Sequence, residues 1–372
     1  MFRRKTRTIL TIFGITIGIF AFTVMGSMAE KINLLVSGGT KYYSDKVTVS
    51  QSDSLFISAP MDIKKAQEIA KVSGVKAVSA NVYTSLSDTL DAVSFGPPAS
   101  ITGDDFKGRP YESFKITYSQ GRELKEGDRD KVVVGSDLVK KLKAKVGGTV
   151  NIRGKDYQVV GIMNKTLTAP DNSVVTTLAD AQNIYYNSLP ELIRAQTKPQ
   201  NVVNGFTVYV NQGIDPDELA TKINKQVSDV KASGPKAFQE QIANATGIFN
   251  AILFGVALIS LVVGGLSIIN TMTMSISERT REIGIKKAIG AKTSNILFEY
   301  LTEAGLIGLF GGLLGWGLGA LTVFTVNKAM ENSGNIIFLL TTRISVFALA
   351  FAVILGIIAG FYPAYHAVKL NI

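Results

Sequence analysis

Four apolar stretches without a charged residue constrain the fold of this chain more than any other feature. They cover residues 8–29, 241–277, 304–327 and 344–365. A helix of about 20 apolar residues crosses the hydrocarbon core of a bilayer, and it satisfies its own backbone hydrogen bonds there. The sequence therefore predicts an α-helical membrane protein with four transmembrane helices.

The first of these stretches has a second interpretation, a cleaved signal peptide, because Ser27-Met28-Ala29 loosely resembles a cleavage site. The apolar core of a signal peptide is roughly 7–15 residues long. Residues 8–29 remain uncharged over a longer distance. This length favours a retained transmembrane helix over a cleaved signal.

The net charge of +10 is distributed as it is in membrane proteins. Residues 30–246 contain 27 Lys and Arg against 24 Asp and Glu, so most of the positive excess flanks the apolar stretches. An excess of Lys and Arg in short flanking segments marks the cytoplasmic side. We therefore expect a multi-pass protein of the cell membrane with both termini in the cytoplasm, lipid around its helices and no nucleic-acid partner.

These features divide the chain into segments that alternate between the membrane and its two aqueous sides. The predicted fold has an α+β extracytoplasmic domain of two subdomains, inserted between the first and second transmembrane helices. The predicted segments are a cytoplasmic basic N-terminus (1–7), transmembrane helix 1 (8–29), the extracytoplasmic domain with stalk helices (30–246), transmembrane helix 2 (247–275), a cytoplasmic loop or helix (276–293), transmembrane helix 3 (294–327), an outer loop (328–343), transmembrane helix 4 (344–363) and a cytoplasmic tail (364–372).

The extracytoplasmic domain shows the alternation of apolar and polar residues that predicts β-strands. Lys46–Ser50 and Val132–Val134 are two examples. The stretch from Thr149 to Ile162 predicts a hairpin around Gly154-Lys155-Asp156. Strand–helix units flank a strand-rich insertion at about residues 115–200, and this order predicts the two subdomains.

Helix starts and ends in the chain are predicted from capping residues and proline. Asp215 followed by Pro216 is typical of an N-cap and the first helical position. Ser136 predicts a second capped helix, with Leu138 on its apolar face. Pro363 predicts the end of transmembrane helix 4, because proline lacks the N–H that an interior helical position donates.

The residues that most enzymes need are scarce. The chain has no cysteine, and its single histidine, His366, lies in the predicted tail. Gly284 and Gly290 resemble the glycines of a phosphate-binding P-loop, but five residues separate them where that loop has four. We therefore predict no catalytic site, no metal site and no nucleotide-binding motif in this chain.

Glycines recur in the predicted membrane helices, several of them four residues apart, and this spacing lets two helices approach closely. We expect Trp316 among them to be a packing residue rather than a ligand contact. The predicted contacts within the helix bundle or across a dimer are Gly14, Gly18, Gly311, Gly315, Gly319, Gly356 and Gly360.

The charged loop of residues 276–293 joins two apolar stretches and mixes acidic, basic and apolar side chains. A basic segment beside a membrane gains about 1 kcal/mol per Lys or Arg from anionic lipid. The interleaved glutamates and isoleucines instead favour contact with a protein groove. Glu299 and Glu303 follow one helical turn apart, and we expect them to reach water near the interface rather than to act inside the membrane.

The segment Ser277-Glu-Arg-Thr-Arg-Glu-Ile-Gly-Ile-Lys-Lys-Ala-Ile-Gly-Ala291 resembles the signature of MacB-type and FtsX-type ABC transporter permeases. Val146-Gly-Gly-Thr149 is similar to part of that family's outer domain. Tyr362-Pro-Ala-Tyr-His-Ala367 is similar to its C-terminal end, with Tyr365 and His366 where arginines are common. The resemblance implies a MacB-like periplasmic core domain over residues 30–246 and an FtsX-like permease domain over residues 247–365.

The resemblance further implies that the charged loop couples the permease to a cytoplasmic ATPase. Polar side chains would contact the ATPase, and small residues would let its backbone approach. The implied coupling residues are Glu278, Arg279, Arg281, Glu282, Ile283, Gly284, Lys286, Lys287, Ala288, Gly290 and Ala291.

The family also implies partners and a mechanism. Two copies of a separate ABC ATPase would bind ATP and Mg²⁺, two permease chains would form a homodimer, and an extracytoplasmic adaptor would complete the assembly. ATP hydrolysis would move the outer domains by mechanotransmission, without a substrate path through the bilayer. The expected function is efflux of a peptide, an antibiotic or another amphiphile. The alternatives are a regulator of a cell-wall enzyme or sensor that transports nothing, and a permease that releases lipoproteins.

Overall fold

The computed structural model describes residues 2–51, 59–87, 99–330 and 336–369. The described helices are α1 (Phe2–Tyr43), α2 (Lys65–Ala70), α3 (Leu178–Ser188), α4 (Glu191–Arg194), α5 (Pro216–Gln226), α6 (Pro235–Glu278), α7 (Thr280–Ala288), α8 (Thr293–Met330) and α9 (Thr342–Lys369). The described strands are β1 (Lys46–Ser50), β2 (Met61–Asp62), β3 (Val75–Ser85), β4 (Ser100–Asp104), β5 (Tyr118–Gly121), β6 (Lys131–Val134), β7 (Thr149–Ile152), β8 (Lys155–Met163), β9 (Ser173–Thr177), β10 (Val202–Val203), β11 (Gly205–Val210) and β12 (Lys231–Ser233).

The chain forms two compact units. The helical unit contains residues 1–31, 246–328 and 338–372, and the sheet unit contains residues 32–245 and 329–337. Parts of the predicted outer loop and tail, residues 331–335 and 370–372, lie outside the described residues.

Within the described ranges, four helices are long and apolar enough to cross a membrane. They are Thr11–Tyr43, Thr246–Glu278, Thr293–Met330 and Thr342–Lys369, so the prediction of four such helices is confirmed. At a rise of about 1.5 Å per residue, the 44 residues of α6 extend over about 66 Å, about twice the thickness of a hydrocarbon core.

The fourth of these helices does not end where the sequence predicts. Helix α9 continues through Pro363 to Lys369, so the prediction that Pro363 terminates it is wrong. A proline inside a membrane helix leaves the carbonyl four residues earlier without its usual donor, which packed neighbours can tolerate. Pro363 is buried in the helical unit, and Ala359 and Ala364 beside it belong to the same apolar cluster.

A ten-stranded mixed sheet forms the centre of the second unit. Its strand order is β12-β1-β11-β3-β4-β9-β6-β8-β5, and β7 pairs with β8 outside this path. One apolar cluster packs around β1, β3 and β11 with α5, and a second packs around β6, β7 and β8. The predicted strands at Lys46–Ser50 and Val132–Val134 are confirmed as β1 and β6.

The predicted hairpin is present with a tighter turn than expected. Ile152 pairs with Lys155, so the loop contains only Arg153 and Gly154. Both residues have positive φ, 49° and 82°. Two positive φ angles match the twist of the flanking strands, which explains why the turn closes over two residues.

One predicted helix is confirmed and one is wrong. Asp215 caps α5, and its side chain accepts a hydrogen bond from the Asp217 backbone N–H at 2.8 Å. The segment after Ser136 forms successive turns instead of a helix. Lys143 there has a φ of 49°, a left-handed conformation that interrupts a helical path. Leu138 still lies fully buried in the second cluster.

Candidate functional site

The charged loop of the sequence folds as the short helix α7, between α6 and α8. Helix α6 ends at Glu278, and Arg279 leaves the helical conformation with φ −105° and ψ 13°. Beyond α7, Gly290 takes a φ of 90° and its N–H donates to the Lys287 carbonyl at 2.9 Å. A left-handed glycine is a usual way to end a helix. The loop is therefore a defined element with a break at each end.

One apolar side chain anchors α7 to the helical unit. Ile283 is 1% exposed and belongs to the same buried cluster as Ile276 of α6, and Ile296 and Tyr300 of α8. Removing a side chain of this size from water favours the packed position by about 1.5–3 kcal/mol. Ile283 therefore fixes which side of α7 turns inward, and Gly284 beside it is half-buried.

Three of the cations predicted to contact an ATPase are engaged within the chain. The Lys286 Nζ lies 2.7 and 2.8 Å from the two carboxylate oxygens of Glu299. Arg279 Nη1 lies 3.5 Å from Glu303 Oε2. Lys287 Nζ donates to the Val368 carbonyl at 2.6 Å. The hydrogen bond to Glu299 raises the pKa of Lys286 above its ordinary value, so Lys286 stays charged at neutral pH.

The side of α7 opposite Ile283 is exposed to solvent. Ile285 is 56% exposed and Ile289 is 80% exposed. Arg281, Glu282 and Ala288 are also exposed there. Glu278 and Gly290 are exposed at the two ends, and Ala291 is half-buried. The predicted site residues thus separate into a buried or paired set and an exposed set of mixed character.

The predicted glycines lie at helix–helix contacts within one chain. A Cβ on Gly315 would lie 2.6 Å from the Thr16 carbonyl oxygen of α1, and one on Gly18 would lie 2.8 Å from Ser260 Cβ of α6. The other predicted glycines approach side chains or backbone of a neighbouring helix in the same way: Gly14 approaches Ser267, Gly311 approaches Ile15, Gly319 approaches Thr23, and Gly356 and Gly360 approach Ala304. Trp316 packs against the main apolar cluster of the helical unit.

A buried polar cluster in the sheet unit was not predicted. Lys46 is 2% exposed and pairs with Glu112, whose other oxygen accepts a hydrogen bond from the Tyr209 hydroxyl at 3.0 Å. The Lys46 ammonium lies 3.8 Å from the ring centroid of Tyr42 at the end of α1. Burial lowers the pKa of Lys46 and Glu112 opposes that shift. A lysine at a strand start gives no sequence signal of burial, because Glu112 and Tyr209 are distant in sequence.

Comparison with protein families matches nearly the whole chain. Residues 8–226 match the MacB-like periplasmic core domain, and residues 254–372 match the FtsX-like permease C-terminal domain. The first match covers most of the sheet unit, up to residue 226, and the second includes α7.

Curated relatives from archaea and bacteria show the same likeness. An uncharacterized ABC transporter permease of Methanocaldococcus jannaschii is 28% identical over 99% of this chain and 93% of its own length. The macrolide export ATP-binding/permease proteins MacB of Neisseria gonorrhoeae and Neisseria meningitidis are 30% and 31% identical over 99% of this chain. The match spans 58% of the length of these MacB proteins.

Solved structures of outer domains also align with this chain. The periplasmic region of MacB from Actinobacillus actinomycetemcomitans aligns with a TM-score of 0.38 and 16% identity, covering 57% of this chain and 98% of that structure. The extracellular domain of the noncanonic ABC-type transporter YknZ from Gram-positive bacteria aligns with a TM-score of 0.34 and 14% identity, covering 51% of this chain and all of that structure.

Proposed function

The chain belongs to the ABC transporter permeases of the MacB/FtsX type, and we propose that it couples ATP hydrolysis by a separate cytoplasmic ATPase to movement of its outer domain. It is a multi-pass membrane protein with a large extracellular domain. The observation that carries the proposal is the exposed side of α7, which lies between two helices long enough to span a membrane.

The exposed side of α7 has the chemistry of a protein interface. Ile285 and Ile289 offer apolar surface, and Arg281 and Glu282 offer opposite charges beside it. The two exposed isoleucines, one on α7 and one directly after it, would contact water without a partner, and a groove on an ATPase would bury them. The small Ala288 lies on this side and leaves room for close approach.

Nucleotide chemistry in this proposal belongs to the partner. Two ATPase copies bind ATP and Mg²⁺, and the permease chain itself binds no cofactor and catalyses no reaction. The MacB relatives are named as ATP-binding/permease proteins, whereas the relative from Methanocaldococcus jannaschii is named as a permease. The permease name of the Methanocaldococcus jannaschii relative supports the proposal that ATP binding belongs to a partner chain.

The finer architecture is part of the same proposal. The outer domain is inserted between the first and second membrane helices, and its two apolar clusters support two subdomains. Both chain termini and α7 lie in the cytoplasm, as the distribution of Lys and Arg indicates. Two permease chains form a homodimer, with an extracytoplasmic adaptor as a further partner.

The transported substrate is proposed from chemistry and likeness. The relatives in Neisseria are named for macrolide export. We infer efflux of a peptide, an antibiotic or another amphiphile presented at the outer side of the membrane. The outer domain moves it, and the helices provide no path through the bilayer.

Co-purification tests the coupling proposal. The full chain is extracted in detergent from its own cells, and ATP-binding proteins that accompany it are identified by mass spectrometry. The test variant is Ile285→Asp with Ile289→Asp. Its matched control is Leu192→Asp, because Leu192 is a similarly exposed apolar residue, 77% exposed, in the sheet unit. We expect an ABC ATPase with the wild type and the control and at least tenfold less with the test variant, since about 1.4 kcal/mol of lost binding suffices for that factor. Equal recovery from all three proteins would contradict the proposal.

A further inference from the structure

We propose that Glu299 and Glu303 of α8 are positioning residues that hold α7 against the helical unit. Glu303 pairs with Arg279 and Glu299 pairs with Lys286. These two ion pairs are here called the α7 clasp. The inference rests on the proposed function only for its consequence, namely that a push on α7 is transmitted to α8. The clasp itself is a property of this chain.

The two ion pairs lie at opposite ends of α7. Arg279 occupies the break between α6 and α7, and it reaches Glu303. Lys286 lies in the last turn of α7 and reaches both oxygens of Glu299. Ile283 is buried between them. A short helix fastened at both ends and in the middle cannot rotate about its own axis without breaking one of these contacts.

The two carboxylates repel each other along α8, and the cations of α7 relieve this repulsion. Glu299 and Glu303 are four residues apart on α8, and like charges at that spacing destabilise a helix by about 0.2–0.5 kcal/mol. Each carboxylate here faces a different cation from α7. The repulsion along α8 is thereby replaced by attraction to α7.

A third contact extends the clasp to α9. The Val368 carbonyl lies in the last turn of α9, where helical carbonyls lack a donor within the helix. Lys287 supplies that donor. Cations are favoured at the C-terminal end of a helix because its exposed carbonyls carry partial negative charge. Movement of α7 is therefore transmitted to two membrane helices.

We expect the α7 clasp to fix the position of α7 and to contribute little to the folding free energy of the helical unit. The side chains of both pairs are between a third and a half exposed, and exposed ion pairs typically contribute little to folding. The loss of both carboxylates should leave the helical unit folded while α7 opens more often. A readout of local opening therefore distinguishes a positioning role from a purely structural one.

Limited trypsin digestion of the full chain in lipid nanodiscs measures this opening directly. The test variant is Glu299→Gln with Glu303→Gln, which leaves every Lys and Arg in place. Cleavage after Arg281 and Lys292 is followed by mass spectrometry and normalised to the same protein denatured in detergent. We expect cleavage about fivefold faster or more than in the wild type, because proteolysis follows the population of locally opened states. Glu240→Gln, a change at an exposed glutamate of α6, should cleave at the wild-type rate.

A charge exchange makes the test specific. Lys286→Glu alone should cleave faster than the wild type after Arg281 and Lys292, and Lys286→Glu with Glu299→Lys should return toward the wild-type rate. A wild-type rate in the Glu299→Gln, Glu303→Gln variant, or no rescue by the exchange, would overturn the clasp. No ATPase is present in this assay, so its failure is distinct from a failure to recover an ATPase by co-purification.

Discussion

At the scale of single residues, Asp128 shows how one carboxylate organises a loop of the sheet unit. Its oxygens accept two hydrogen bonds from Arg122, at 2.8 and 3.1 Å, and one from the Lys131 ammonium at 2.8 Å. The Lys125 N–H donates at 3.0 Å. These donors, the Arg122 guanidinium foremost, hold the pKa of Asp128 well below its usual range.

This depressed pKa predicts a pH-dependent stability. Because the folded state favours the ionised form, the contribution of Asp128 is fully present above the unfolded pKa of about 3.9 and is lost as the pH falls toward the folded pKa. Asp128→Asn should therefore lower the free energy of unfolding by about 1 kcal/mol at pH 7. This deficit corresponds to a Tm lower by about 2–4 °C. The deficit should shrink as the pH falls below about 4.

Thermal unfolding of the full chain in detergent at a series of pH values measures this deficit. Glu126→Gln is the control, because Glu126 is an exposed carboxylate two residues away. A deficit for Asp128→Asn that stays constant from pH 7 to pH 3 would show that the carboxylate charge is not responsible.

At the scale of elements, α8 uses glycine on two of its sides. Gly311, Gly315 and Gly319 face α1, whereas a Cβ on Gly308 would lie 2.4 Å from the Ala352 carbonyl oxygen of α9. Without a strong hydrophobic drive between helices in lipid, such close approach supplies the packing energy. Helix α8 is therefore the element against which both neighbours pack.

Two glycines two residues apart test this role. Gly315→Ala places a methyl group 2.6 Å from the Thr16 carbonyl oxygen, whereas a methyl group on Gly317 meets no atom within 4 Å. We expect overpacking to lower the free energy of unfolding of the Gly315→Ala variant by about 1–3 kcal/mol. Gly317→Ala should be neutral or slightly stabilising, because alanine favours helix by about 1 kcal/mol over glycine. The Tm of each variant is measured on the full chain in detergent. Equal Tm values for the two variants would contradict the close packing of α8 against α1 at Gly315.

The elements themselves were largely predictable, but their partners were not. Uncharged length predicts the four long helices, and Asp215 predicts the start of α5, because both signals are local in sequence. The inward side of α7 was not predicted. Its direction depends on contacts of Arg279 with Glu303 and of Lys286 with Glu299, and on the burial of Ile283. The family resemblance had implied ATPase contacts for both of these cations. Lys46 with Glu112 is the same kind of long-range pairing.

At the scale of the whole molecule, two long helices are shared between the helical unit and the sheet unit. Helix α1 runs without interruption to Tyr43, and α6 begins at Pro235, so each contributes residues to both units. In the proposed function, the exposed side of α7 would contact the ATPase, and the α7 clasp would transmit the movement of α7 to α8. We expect ATP-driven displacement of α7 to move the outer domain.

Distances between spin labels, measured by double electron–electron resonance, test this expectation most directly. The chain has no native cysteine, so Leu192→Cys places one label per chain on an exposed site of the sheet unit. The proposed homodimer with its proposed ATPase is measured in nanodiscs, without nucleotide and with ATP and vanadate. We predict that the distance between the two labels shifts by about 5 Å or more, the scale of a one-turn displacement between packed elements. An unchanged distance in a complex that hydrolyses ATP would contradict the account.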